Sequence, residues 1–325
     1  MFQKLQHREP VLASNIMTRR LITERPETDV AEAIHQLLHH GISGMPVVSG
    51  AGQYLGVFSE KCCLRVLQQT SRMLPSVEAR EPMAGQFMRG DVIALTPEHD
   101  VYDAIQILLS QNISGAPVVA KNKEFLGIFS EKSSMSVLIN GAMYSLPTTT
   151  VGQFLNRDRG RLIDEQTTLL EVAKIFHETP YRRLAVVRRE RVVGQISRRD
   201  VLRSSRILQA ILQYQFNRED ATRSDEPTRE AVEGLQQLPS TSVSAFMDQQ
   251  AKTINEETDL LSIAGIFLNT PYRRLPVLRG EKVVGQISRR DVLRAAIQLV
   301  EPEEVSASQV LYLSAVRSRE ESSVV

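Results

Sequence analysis

The chain has 325 residues, 39 Lys+Arg against 38 Asp+Glu, a formal net charge of +1, two cysteines and no tryptophan. That length predicts about two or three domains, and 42% hydrophobic with 24% charged residues argues against wholesale disorder. Near-neutrality leaves no electrostatic surplus for tight, sequence-independent binding to nucleic acid or anionic lipid. No apolar run approaches the ~20 residues of a membrane span, and the leading MFQKLQHREP has no apolar signal core. The cysteines, Cys62 and Cys63, are adjacent, which suits neither a disulfide scaffold nor a structural zinc site. The expectation is a reduced, cytoplasmic protein that touches neither membrane nor nucleic acid.

In chain order, one pattern appears four times. Apolar residues recur at spacings 0, +3, +4 and +7 in Val30/Ala33/Ile34/Leu37, Val101/Ala104/Ile105/Leu108, Leu169/Val172/Ala173/Phe176 and Leu260/Ile263/Ala264/Phe267, the buried stripe of an amphipathic helix. A strand-like run follows each stripe: Pro46–Val48, Pro117–Val119, Ala185–Val187 and Pro276–Leu278. After a polar turn, a second strand ends Gly-x-x-Ser at Gly56–Ser59, Gly127–Ser130, Gly194–Ser197 and Gly285–Ser288, and another helix begins. With a short strand before the first helix, each unit reads β-α-β-β-α. Met17, Met88 and Met247 are expected to begin equivalent first strands as core residues. The helix start lies 29, 29, 28 and 28 residues before the Ser, and successive serines are 71, 67 and 91 apart. The predicted units are 10–72, 81–142, 148–212 and 241–300, with a polar linker at 213–240 and a polar tail at 301–325.

Units 3 and 4 carry near-duplicate segments, YRRLAVVRRERVVGQISRRDVLR (181–203) and YRRLPVLRGEKVVGQISRRDVLR (272–294). Of the 26 Lys+Arg in residues 151–325, 23 are Arg, the side chain whose planar fork grips phosphate or carboxylate with two hydrogen bonds. Ser197 with Asp200, and Ser288 with Asp291, place a hydroxyl and a carboxylate on one side of a helix start. That pair suits the cis-diol of a ribose, and it equally suits a plain helix N-cap. Arg182, Arg183, Arg273 and Arg274 suit a phosphate, and exposed arginine pairs are also ordinary surface residues.

These motifs resemble the CBS domain, named for cystathionine β-synthase. The likeness is carried by the Gly-φ-φ-Ser-x-x-Asp ending (φ apolar), the Arg-Leu-Pro-Val type strand and the helix register between them, over residues 10–300. It implies an α/β (α+β) fold of four β-α-β-β-α units paired into two Bateman modules in a disc-like assembly. It also implies adenine nucleotides (AMP, ADP or ATP), or S-adenosylmethionine, in the clefts. By resemblance Asp200 and Asp291 hold ribose hydroxyls and the Arg-Leu-Pro-Val arginines meet phosphate. Thr167 and Thr258, before the first helices, assist, and Arg198 and Arg289 are further phosphate candidates.

Units 1 and 2 depart from that pattern. Cys62 and Ser133 stand where the Asp would be, and Ile42-Ser43-Gly44 and Ile113-Ser114-Gly115 replace the arginine segment. Glu60 and Glu131 follow the Ser directly, and one residue of helical offset turns them about 100° away. Residues 1–145 are therefore expected to form a module without nucleotide binding, and units 3 and 4 a module with two ligand sites. His35, His39 and His40 lack further ligands for a metal, and neither a nucleophile–base set nor a Walker loop is present. The sequence thus predicts a non-catalytic regulator that senses adenine nucleotides and signals to a separate, unidentified protein partner. It is expected to act as a homodimer or as an intrachain disc. The alternatives are an S-adenosylmethionine sensor and a purely structural protein with empty clefts.

Overall fold

The computed structural model describes residues 10–73, 82–143, 150–205, 236, 238 and 240–300. The expected tail at 301–325, and all of the expected linker except residues 236, 238 and 240, lie outside the described residues.

Unit 1 comprises α1 (Ala13–Ile16), α2 (Val30–His39), β1 (Gly44–Val48), β2 (Tyr54–Ser59) and α3 (Glu60–Met73). Unit 2 repeats the order as α4 (Ala84–Phe87), α5 (Val101–Ser110), β3 (Gly115–Val119), β4 (Phe125–Ser130) and α6 (Glu131–Met143). Unit 3 has α7 (Val151–Phe154), β5 (Leu162–Asp164), α8 (Leu169–Glu178), β6 (Arg183–Arg188), β7 (Arg191–Ser197) and α9 (Arg198–Ser204). Unit 4 has α10 (Val243–Phe246), β8 (Ile254–Asn255), α11 (Leu260–Asn269), β9 (Arg274–Arg279), β10 (Lys282–Ser288) and α12 (Arg289–Val300).

The expected apolar stripes form the buried faces of α2, α5, α8 and α11. An oxygen of Asp29, Asp100, Thr168 or Asp259 accepts backbone N–H groups at each helix start, satisfying amides the helix leaves unpaired. The hairpins are antiparallel. The short strand before the first helix forms in units 3 and 4, parallel to β6 and β9. In units 1 and 2 it shrinks to single parallel bridges, Glu24 to Val47 and Leu95 to Val118. Met17, Met88 and Met247 do not begin strands. They sit at the C-terminal ends of the short helices α1, α4 and α10.

Those short helices carry the main topological finding, because each belongs to the sheet face of a different unit. Residues 10–18 bridge to Asp259 and Gln286 of unit 4, and residues 242–248 bridge back to Asp29 and Val57 of unit 1. Met83 and Arg89 bridge to Thr168 and Gln195 of unit 3, while Thr150 and Asn156 bridge to Asp100 and Ile128 of unit 2. The units do pair, but unit 1 pairs with unit 4 and unit 2 with unit 3. The expected 1–2 and 3–4 modules are thereby corrected. The glycine of each Gly-x-x-Ser marks a crossing point. A Cβ on Gly56 would lie 2.7 Å from Asp248 O, and one on Gly127 2.6 Å from Asn156 O. On Gly194 and Gly285 it would strike the Met88 and Met17 side chains.

The helical sides join the other way. One hydrophobic core merges units 1 and 3 through Leu64, Leu67, Val172, Phe176 and Leu202. A second merges units 2 and 4 through Met135, Leu138, Phe267, Leu293 and Ala296. Sheet contacts and helix contacts together close the four units into a ring.

Candidate functional site

The ring encloses a cavity of about 570 Å³ that all four units line. The hairpin register explains how segments far apart in sequence meet there. Arg183 is paired with Ser197 across β6–β7, and Arg274 with Ser288 across β9–β10, so each YRRL segment lies beside its own SRRD. Arg182, Arg183, Ser197, Asp200, Arg273, Arg274 and Ser288 all line the cavity. Asp291, Thr167 and Thr258 are not among its lining residues. The carbonyls of Thr167 and Thr258 instead accept N–H bonds from Ala84 and Ala13 at 2.8 Å, anchoring the crossing segments. Thr258 borders a separate, shallow depression with Asn255 and Leu278.

The serine–carboxylate pairs are reciprocal helix caps. Asp200 Oδ2 accepts from Ser197 N at 2.9 Å and from its hydroxyl at 2.6 Å, while Ser197 Oγ accepts from Asp200 N at 3.3 Å. Ser288 and Asp291 repeat this at 2.8, 2.6 and 3.3 Å. Only one oxygen of each carboxylate is used in the cap. The other oxygen of Asp200 stands 3.7 Å from Arg89 Nε, at the cavity wall.

Arg198 and Arg289 are held by the protein's own backbone. Arg198 donates to Phe176 O and Thr179 O at 3.0 and 3.1 Å, and Arg289 does the same to Phe267 O and Thr270 O. Each therefore satisfies carbonyls at the end of the preceding helix. Burial lowers both guanidinium groups to about 10, which leaves them charged at neutral pH.

Glu60 and Glu131 overturn the expectation that they turn away. They are 4% and 2% exposed and line the cavity. Glu60 of unit 1 accepts from Arg182 at 2.7 Å and Arg199 at 3.2 Å, both of unit 3. Glu131 of unit 2 accepts from Arg273 at 2.5 Å and Arg290 at 3.2 Å, both of unit 4. Burial alone would raise the Glu131 carboxyl, but Arg273, Arg290 and Arg289 outweigh it and hold it below the ordinary value. Units 1 and 2 thus supply counter-ions to the arginines of units 3 and 4. The sequence held a signal for this: Ser-Glu-Lys in two units faces Ser-Arg-Arg in the other two, a charge reversal at one motif position.

Arg183 and Arg274 are different. Among the described residues neither has a carboxylate within 4.0 Å. Arg183 Nε donates only to Ser114 Oγ at 3.3 Å. Desolvation and then the charge of Arg273 lower both groups, while the more distant carboxylates of Asp200 and Asp291 partly offset this for Arg183 and Arg274 respectively. Arg89, Asp91, Val92 and Ile93 complete one end of it and went unnoticed in sequence, because nothing within unit 2 shows that they face unit 3.

No cluster of three His, Cys, Asp or Glu among the described residues could hold a metal. No described helix is long and apolar enough to cross a membrane. Cys62 and Cys63 are buried free thiols, and burial pushes both thiols up, away from the reactive thiolate.

The CBS-domain family model matches residues 13–69, 84–133, 161–206 and 243–298, more than half of the chain. An uncharacterized protein of Methanocaldococcus jannaschii, MJ1225, is 22% identical over 286 residues, covering 85% of this chain and 95% of that one. Its crystal structure aligns at a TM-score of 0.37 with 21% identity, covering 88% of this chain and 99% of that one. CBSX2 of Arabidopsis thaliana, solved in complex with AMP, aligns at 0.35 with 24% identity over 41% of this chain and 98% of its own. The CBS domain pair of protein MJ0100, solved with 5-methylthioadenosine and S-adenosyl-L-methionine, aligns at 0.33 with 20% identity over 38% of this chain and 94% of its own.

Proposed function

The chain belongs to the CBS-domain family, and on that premise we propose that it is a non-catalytic regulatory protein that binds an adenine nucleotide in the central cavity. The observation that carries this reading is the pair Arg183 and Arg274, which line the cavity with no carboxylate partner among the described residues. A desolvated cation with no carboxylate in direct contact is costly, and a phosphate lowers that cost. The Asp200 oxygen left out of the cap, 3.7 Å from Arg89 Nε, is the acceptor for a ribose hydroxyl in this reading. Asp291, Thr167 and Thr258, also expected to bind ligand, are not among the residues lining this cavity.

Arginine surplus also separates the candidate ligands. A nucleotide brings negative charge to it, whereas S-adenosylmethionine brings a sulfonium and an ammonium against one carboxylate. Ligand contacts that span several units would favour one packing of the ring over another, and only such differential affinity passes a signal to a partner. The purely structural reading draws on Glu60 and Glu131, which already pair four of the central arginines.

Thermal unfolding of the full chain with AMP, ADP, ATP and S-adenosylmethionine separates these readings. Bound ligand must stabilise by mass action, by about 2.7 kcal/mol at a hundredfold excess over Kd. A rise in Tm with the nucleotides is expected. No rise with any of them overturns the nucleotide reading and leaves the structural one.

A further inference from the structure

The cavity is not symmetric, although the chain is repetitive. At the unit 2–unit 3 end its wall includes Asp91, Val92, Ile93, Ser197 and Asp200. The segment matching Asp91–Ile93 at the unit 1–unit 4 end is Arg20-Leu21-Ile22, and neither it nor Asp291 is among the residues lining the cavity. The unit 2–unit 3 end offers a nucleoside an apolar wall from Val92 and Ile93, with the Asp200 oxygen that faces Arg89 Nε at 3.7 Å beside it.

The remaining wall is cationic. Glu60 serves two arginines and so does Glu131, so each triad keeps one net positive charge. Arg183 and Arg274 add one each, a surplus of four where all four units meet. Arg199 Nε and Arg290 Nε are also buried donors without an acceptor among the described residues. A nucleoside monophosphate brings about two negative charges, and each further phosphate adds about one.

We propose, building on the adenine-nucleotide reading, that each chain takes one nucleoside polyphosphate. Its base and ribose lie between units 2 and 3, and its phosphate chain crosses to Arg273 and Arg274 of unit 4. Arg274 is then the specificity-determining residue, because it lies beyond the first phosphate and sees only a longer chain. One ligand spans three units directly and a fourth through Glu60, replacing the two independent sites that the repeats suggest.

Isothermal titration calorimetry of the full chain with AMP, ADP, ATP and inorganic tripolyphosphate tests this. The expected stoichiometry is one ATP per chain, with affinity rising at least about tenfold from AMP to ATP. Arg274→Gln should collapse that ratio towards one, and Arg274→Lys should restore part of it, since Lys keeps the charge without the fork. The unliganded Tm of each variant reports whether it folds. Two nucleotides per chain, equal affinity for AMP and ATP, or an unchanged ratio in folded Arg274→Gln would each overturn the proposal while leaving adenine-nucleotide binding intact. Tripolyphosphate binding as tightly as ATP would remove the nucleoside end of the site. Absence of all binding would remove the nucleotide reading itself.

Discussion

Glu60 and Glu131 show how a residue acquires its role from a neighbour that sequence does not reveal. Each is a buried carboxylate held by two arginines of another unit. Removing the carboxylate strands two poorly hydrated cations, so Glu131→Ala should cost about 3–5 kcal/mol in urea unfolding. The same group predicts an acid limb. Because the Glu131 carboxyl is held below its ordinary 4.5, the unfolded chain binds its proton more readily. The triad's stabilisation is then complete above the ordinary value and lost as pH falls through the folded value. Urea stability measured across that acid range should fall less steeply for Glu131→Gln, a variant that never titrates. An unchanged slope would place the acid sensitivity elsewhere.

Among the elements, the crossing segments decide the assembly. The four motif glycines were legible as a repeat, yet what crosses against them was not. It is the partner's backbone or methionine lying against the sheet. Gly127→Ala should therefore lower Tm, costing about 1–3 kcal/mol as an overpacked site, since its Cβ meets both Asn156 O and the Leu155 side chain. Gly50→Ala is the control: its Cβ meets nothing within 4 Å, and a near-wild-type Tm is expected. Equal loss in both variants would rule out the crossing as the cause. The short strands follow the same logic. They were legible in all four units, but units 1 and 2 keep only one bridge each, because strand length is settled by tertiary pairing and not by propensity.

At the scale of the molecule, the ring predicts that the two halves depend on each other. Units 1 and 2 bury their helical faces against units 3 and 4 and exchange their entering segments with units 4 and 3. Fragments 1–145 and 148–325 should each expose large apolar faces when made alone, and should associate when made together. Light scattering of the co-expressed fragments should give the mass of one whole chain. A stable monomeric 1–145 that ignores 148–325 would contradict the ring. A hint of this pairing lies in the serine spacing, since the shortest step, 67 residues, joins units 2 and 3, the sequential pair that exchanges segments. The two longer steps lead from one pair to the other.

Sequence alone determined the unit, because helix stripes, hairpins and caps depend on residues close together in the chain and on periodicities of 3.6 and 2. It also brought YRRL and SRRD to one site, since a hairpin register is local. Which units pair and where Glu60 and Glu131 point were decided only by tertiary structure. Those outcomes rest on charges and apolar faces of different units meeting in space, and no pattern within one unit encodes which unit it meets.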